Sequence, residues 1–267
     1  MSDIEGLRVD GDSAMDLSDG LEAQGSRGNV VYAGLRRAII EGAIRPGTRL
    51  PEDSVGESFG VSRTIVRSVL ARLAAEGLVS REPKRQATVA VPTLEDARDL
   101  FRVRRGVERM VVEILCEGLD HGHEARLLAH VEAEHAAKGR NEATSIALAG
   151  EFHMLLGRLT GNETLYRYVN ELVSRCSLVL AIYGRPHSTD CAVSEHRQLI
   201  AAIAGGQTKR AVELMDAHLE SVASRALLQH RPPRDLDLVS QLRAYARPAP
   251  PPEIVLPPRR SRTRAKS

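Results

Sequence analysis

The sequence predicts a mainly α-helical protein of two domains, an N-terminal winged helix-turn-helix followed by an all-α antiparallel helical bundle. Three observations carry this. Apolar residues recur at helical spacing along most of the chain, which is the pattern of amphipathic helices. Aromatic residues make up only 3% of the 267 positions and tryptophan is absent, so Ala, Leu, Val and Arg dominate, a set that favours packed helices over sheets. Alternation that suits strands is confined to two short runs between Leu78 and Val91.

Residues 1–28 carry Gly, Ser and seven acids against two bases with little apolar periodicity, and are expected to be disordered. Order is expected from Asn29, a good N-cap, into a helix that places Val31, Leu35 and Ile39 on one face. Gly42 and Arg45-Pro46-Gly47 stop it. A short helix is expected from Pro51 to Phe59, broken at Gly60, and a third from Ser62 to Glu76 that buries Val66, Val69, Leu70 and Leu73. The two strands, Leu78–Arg81 and Ala87–Val91, are joined by the basic turn Glu82-Pro83-Lys84-Arg85-Gln86. Residues 29–92 thus form one unit, ending at Pro92.

Thr93 with Asp96 three residues on has the form of a capping box and opens a helix to about Gly118. Further helices are expected at about 123–139, 142–159, 163–183, 192–204 and 208–230, and these make residues 93–230 the second domain. From 231 to 267 prolines are frequent and Arg259, Arg260, Arg262, Arg264 and Lys266 crowd the end, which reads as a disordered basic tail. The net charge of +2 hides this unevenness: residues 29–92 hold ten bases against six acids, and the tail nine against three. Such local excess suits phosphate-bearing partners. Cys116, Cys176 and Cys191 show neither a CxxC pair nor tight spacing, which argues against a disulfide framework or a cysteine zinc site. The acidic N-terminus lacks an apolar leader and no run approaches about 18 apolar residues, so a cytoplasmic protein with no membrane partner is expected.

A helix-turn-helix presents the start of its second helix to base edges in the major groove. Ser62, Arg63 and Thr64 open that helix here and Arg67 lies one turn on. Arginine can grip guanine or phosphate through two donors, and the hydroxyls do either more weakly. Lys84 and Arg85 occupy the wing tip, and Arg49 lies at the exit from the first helix. These seven are the expected DNA-binding residues; the competing reading is a set of solvated surface charges.

The run Ile40-Glu41-Gly42-Ala43-Ile44-Arg45-Pro46-Gly47-Thr48-Arg49-Leu50 resembles the first-helix exit of the GntR family of bacterial repressors. Gly60-Val61-Ser62-Arg63-Thr64-Ile65-Val66-Arg67 through Glu76-Gly77-Leu78-Val79 resembles that family's recognition helix and the strand after it. Ile65 replaces the usual proline and Gln86 stands where a wing glycine is usual. The resemblance implies a homodimer on a pseudo-palindromic operator in double-stranded DNA.

Of nine histidines, His153, His196 and His218 lie on apolar faces of three different helices, sharing them with Leu156, with Val193, Ile200 and Ile203, and with Ala211, Leu214, Met215 and Val222. Facing helices of a bundle can join such imidazoles into a metal site; three separate core histidines bonded to carbonyls is the plainer reading of periodicity alone. The segments Leu100–Glu108, Glu151–Leu165 and Glu195 to Leu219 are similar to the effector (FCD) domain of FadR-type GntR regulators. In metal-containing members an aspartate one turn before the first histidine joins three histidines. Here that position is Ala149, so the resemblance implies His153, His196 and His218 as ligands of a divalent metal, zinc or similar, without the aspartate. Glu151 points away from His153 on a helix and is no substitute. The resemblance also implies a small organic-acid effector controlling operator affinity, with repression the expected sign. Arg104 is a candidate to hold the effector's carboxylate, or else a partner of Glu108 one turn on. Two rival functions stand beside this: a helical metalloenzyme using the three histidines, and a metal-free regulator that senses an acyl thioester.

Overall fold

The computed structural model describes residues 13–82, 85–137, 142–183, 190–226 and 238–246. Its first helix, α1, runs Ser13–Ile40 rather than starting at Asn29. No proline interrupts this stretch, and an interior Gly or Asn costs only about 1 kcal/mol, which continuous hydrogen bonding tolerates. The expectation of disorder over 1–28 therefore fails from Ser13 onward, and Asn29 is a mid-helix residue whose side chain accepts from Arg72.

The head domain continues with α2 (Glu52–Phe59) and α3 (Arg63–Ala75). Gly60 ends α2 in the left-handed region, φ 65°, a conformation that only glycine adopts freely, and so turns the chain into α3. Strands β1 (Val79–Ser80) and β2 (Thr88–Val89) pair antiparallel, Val79 opposite Val89, and Arg49 adds a bridge to Thr88. Burial explains the assembly: Val31, Leu35 and Ile39 of α1, Val55 of α2, Val66, Val69, Leu70 and Leu73 of α3, and Val89 of the wing share one core.

The second domain comprises α4 (Leu94–Cys116), α5 (His121–Ala137), α6 (Glu142–Leu159), α7 (Glu163–Tyr183), α8 (Asp190–Ala204) and α9 (Thr208–Ala226). Thr93 and Asp96 form the expected reciprocal capping box at the start of α4. The bundle core is aliphatic around a single phenylalanine, Phe152, with Val111, Leu127, Leu156, Val169, Ile200, Met215 and Leu219 buried about it. A satellite cluster joins Ala97, Leu100 and Phe101 of α4 to Leu172, Cys176 and Val179 of α7.

The tail brings a further correction. Leu238–Tyr245 forms a helix, α10, and docks on the head. Leu238, Leu242 and Tyr245 recur at helical spacing; Leu242 is wholly buried in the head core, and the Tyr245 hydroxyl donates to Glu41 at 2.6 Å. An apolar stripe of only eight residues, set among prolines, is enough because its core already exists. The remaining tail, with its five terminal basic residues, lies outside the described residues.

Candidate nucleic-acid interface and histidine centre

Helix α3 begins where Ser62 caps it, the side chain accepting from the Ile65 amide at 3.5 Å. Ile65 supplies an N–H that a proline could not, so this departure from the family pattern adds a cap donor. Ser62, Arg63, Thr64 and Arg67 are all exposed at this end of α3 while Val66, Val69 and Leu70 face inward, so one surface collects the four expected readers. Arg49 and Arg85 are also exposed, on the wing side, and Lys84 lies outside the described residues. Three of these cations meet acids: Arg63 with Asp53, Arg67 with Glu52 through two bonds of 3.0 and 2.8 Å, and Arg85 with Glu82 at 2.6 Å.

The second constellation lies in the bundle. His153 on α6, His196 on α8 and His218 on α9 are buried, and one ligand nitrogen from each lies within 4.8 Å of the others. His153 Nε2 and His218 Nε2 stand 3.2 Å apart. The outward nitrogen of each ring is tied to a carboxylate: His153 Nδ1 to Glu108, His196 Nδ1 to Glu134 at 2.9 Å, and His218 Nδ1 to Glu195 at 2.6 Å. An Nδ1–H donated to a carboxylate leaves the lone pair on Nε2, facing inward. Phe152 stacks on the His196 ring at 3.9 Å between centroids and fixes its plane.

Three inward lone pairs repel one another unless a cation lies among them. Burial pushes His153 down to about 3 and His196 well below its ordinary range, so neither of these two rings supplies that cation by protonation near neutral pH. His196 Nε2 is buried with no hydrogen-bond partner. Tetrahedral zinc–imidazole bonds of 2.0–2.1 Å put neighbouring nitrogens about 3.3 Å apart, close to the His153–His218 spacing. The residues therefore fit a divalent ion. Ala149 offers no donor, and among the described residues no fourth ligand joins the three histidines.

Arg104 is buried, with its Nε donating to Glu108 at 2.5 Å and its guanidinium also meeting the Cys176 thiol. Burial alone would raise the Glu108 carboxyl, but Arg104 and His153 outweigh it and hold it at about 2. The cation expected to face an effector is thus turned to a carboxylate of its own helix, which in turn orients a histidine. Glu134 and Glu195 were missed from the sequence. Glu134 has a visible signal, since it shares the apolar face of Leu127 and Val131 at i+7 and i+3, yet is an acid with no exposure. Burial raises its carboxyl to about 7.

A cleft of about 740 Å³ opens elsewhere, between α1 and α3 of the head and α6 and α7 of the bundle, and contains none of the three histidines. Across it Arg36 donates to Asn170 at 2.8 Å and to Ser174, tying α1 to α7. Among the described residues no helix is long and apolar enough to cross a membrane.

Comparison with known proteins agrees with this division. Residues 28–89 match the model of bacterial regulatory proteins of the gntR family, and residues 99–221 match the FCD domain. An uncharacterized HTH-type transcriptional regulator of Bacillus subtilis, YdhC, is 26% identical over 192 residues, which cover 70% of this chain and 85% of that protein. The transcriptional repressor RspR of Escherichia coli is 23% identical over 195 residues, covering 72% and 86%. A crystal structure of a GntR regulator from Rhodococcus superposes with a TM-score of 0.65 at 27% identity, over 76% of this chain and 98% of that one. These relatives are regulators, so the metalloenzyme reading falls. The chain belongs to the GntR family of bacterial transcriptional regulators, with an FCD effector domain behind its DNA-binding head.

Proposed function

We propose that this regulator is a repressor that binds a pseudo-palindromic operator as a homodimer, and that a small carboxylate-bearing metabolite, held at a divalent ion in the histidine centre, controls its affinity. The observation that carries the proposal is the inward convergence of three imidazole lone pairs, each ring backed by a carboxylate, around a buried and unpartnered His196 Nε2.

His153, His196 and His218 hold the ion, and Glu108, Glu134 and Glu195 fix the ring tautomers. When bound, the ion supplies Lewis-acid contact to an oxygen ligand at positions that three histidines leave open. With alanine at 149 the effector's own carboxylate is the natural donor. A polar centre of this kind suits a compact anion better than a long acyl chain. Dimerisation is supported by Val103 and Met110, both more than half exposed and seven residues apart on α4, with Gly106 leaving open space between them. Repression is supported by the name that the Escherichia coli relative carries. Arg36, Asn170 and Ser174 offer a route by which rearrangement of the bundle reaches the head.

The test is metal analysis of the chain purified without chelator, beside His153→Ala. One equivalent of a divalent ion in the native chain, lost in the variant, is expected. Thermal-shift measurement with a set of carboxylic acids should then show stabilisation that disappears with the metal. Absence of metal from both proteins would refute the centre.

A further inference from the structure

The acids beside the reading arginines have a consequence for selectivity. Glu52 and Asp53 open α2, and each engages one arginine of α3. Asp53 meets Arg63 at its guanidinium Nε. Glu52 takes Nε and Nη2 of Arg67, leaving Nη1. Hydrogen bonding from Arg67 holds the Glu52 carboxyl below its ordinary range, so the acid stays charged. The four side chains sum to zero charge, although they sit where the head meets DNA. On the wing, Arg85 and Glu82 repeat the arrangement.

We propose that Glu52 and Asp53 are specificity-determining residues that suppress sequence-independent binding by cancelling the attraction of Arg63 and Arg67 for phosphate. This rests on the reading of α3 as the recognition helix. Affinity for any duplex comes mostly from cations that displace counterions from phosphates, and it carries no sequence information. An arginine already neutralised displaces fewer counterions, and moving it to the backbone brings its carboxylate toward another anion. A guanine edge carries no net charge and rewards geometry instead. Paired donors on Arg63 match the paired acceptors of guanine, so at that base geometry repays what charge no longer does. The acids therefore penalise phosphate contact more than base contact, and the ratio between operator and bulk DNA rises.

The experiment uses the full chain with Glu52→Gln, Asp53→Asn and the double variant. Two duplex probes are used: one enriched by the native chain from a random-sequence pool, and a scrambled duplex of the same length and composition. Affinity for each is measured by fluorescence anisotropy from 50 to 300 mM KCl. Each freed arginine should add close to one phosphate contact, about 5-fold in scrambled-duplex affinity at 0.15 M salt, with the log–log salt slope steeper by about 0.9. The double variant should gain roughly 30-fold on the scrambled duplex and much less on the enriched one, so its preference for the enriched duplex falls. Glu57→Gln removes the same charge from the same helix and should have a smaller effect than either single variant. Unchanged affinity and slope on the scrambled duplex would overturn the proposal, as would a loss on both probes or an equal gain from Glu57→Gln. If the native chain enriches no duplex, the recognition-helix reading itself fails and this inference falls with it. If it enriches one and the variants behave like the native chain, only the inference fails.

Discussion

Replacing Arg104 by methionine separates a structural cation from an effector-binding one. Arg104 and Glu108 are 4% and 1% exposed, and Glu108 also holds His153. Methionine keeps much of the side-chain volume but leaves Glu108 as a buried anion whose remaining partner is a histidine that burial keeps neutral. Breaking a buried pair by deleting one partner costs about 3–5 kcal/mol, mostly the desolvation of the charge left behind. For a helical domain of this size that corresponds to a fall in Tm of roughly 10–20 °C. Scanning calorimetry of effector-free protein at fixed metal content measures it. Removing both charges, Arg104→Met with Glu108→Leu, should recover part of the loss, because the unpartnered His153 Nδ1 then costs only about 1–3 kcal/mol. The reasoning is refuted if Arg104→Met melts within a degree or two of the native chain while losing its response to carboxylates. That outcome would restore Arg104 to the effector site.

Three further outcomes follow from the packing. Leu242→Ala removes a wholly buried side chain from the α10–head contact, which costs about 2–5 kcal/mol in a rigid core; release of α10 limits the loss, so trypsin should cut after the exposed Arg243 faster while the head stays folded. Gly34→Ala puts a Cβ at 2.4 Å from the Tyr245 carbonyl oxygen and 2.8 Å from Phe59, so helix propensity notwithstanding it should raise proteolysis at the same site, and unchanged cleavage would mean α10 does not sit there. Thr93→Ala deletes the capping box of α4 and should lower bundle stability by about 1 kcal/mol in denaturant titration.

Much of this architecture was legible because local and tertiary signals agree. The turn at Gly60, the cap at Ser62 and the burial of Val66, Val69, Leu70 and Leu73 all mark the same helix boundaries, and the structure follows them within a residue. The three histidines were legible for a similar reason, since each occupies a position that periodicity assigns to the interior. What escaped depends on information no short window contains. Nothing near Leu238 announces that a finished core in the head awaits one more helix. Nor does spacing pair Glu134 with His196, which lies 62 residues away, or turn Glu195 toward His218 rather than toward its neighbour. The start of α1 escaped because composition argued for disorder where the backbone simply continues, with no proline to stop it.

Helix α7 joins the two folding units mechanically. Its Leu165, Val169 and Val173 belong to the bundle core, its Leu172, Cys176 and Val179 to the cluster shared with α4, and its Leu178 to the core of the head. Cys176 touches Arg104, which holds Glu108, which holds His153. Asn170 and Ser174, on the same helix, hold Arg36 of the head. If, as proposed, a ligand bound at the histidines and shifted α7, that shift would either break the Arg36 bonds or carry α1 along. Packed cores favour discrete alternatives over smooth deformation. Arg36→Ala leaves both cores intact, so it should preserve operator and effector binding separately while shrinking the change in operator affinity that effector produces. If that ratio is unchanged, the signal reaches the head by another path, and the covalent link from β2 to α4 is the next to test.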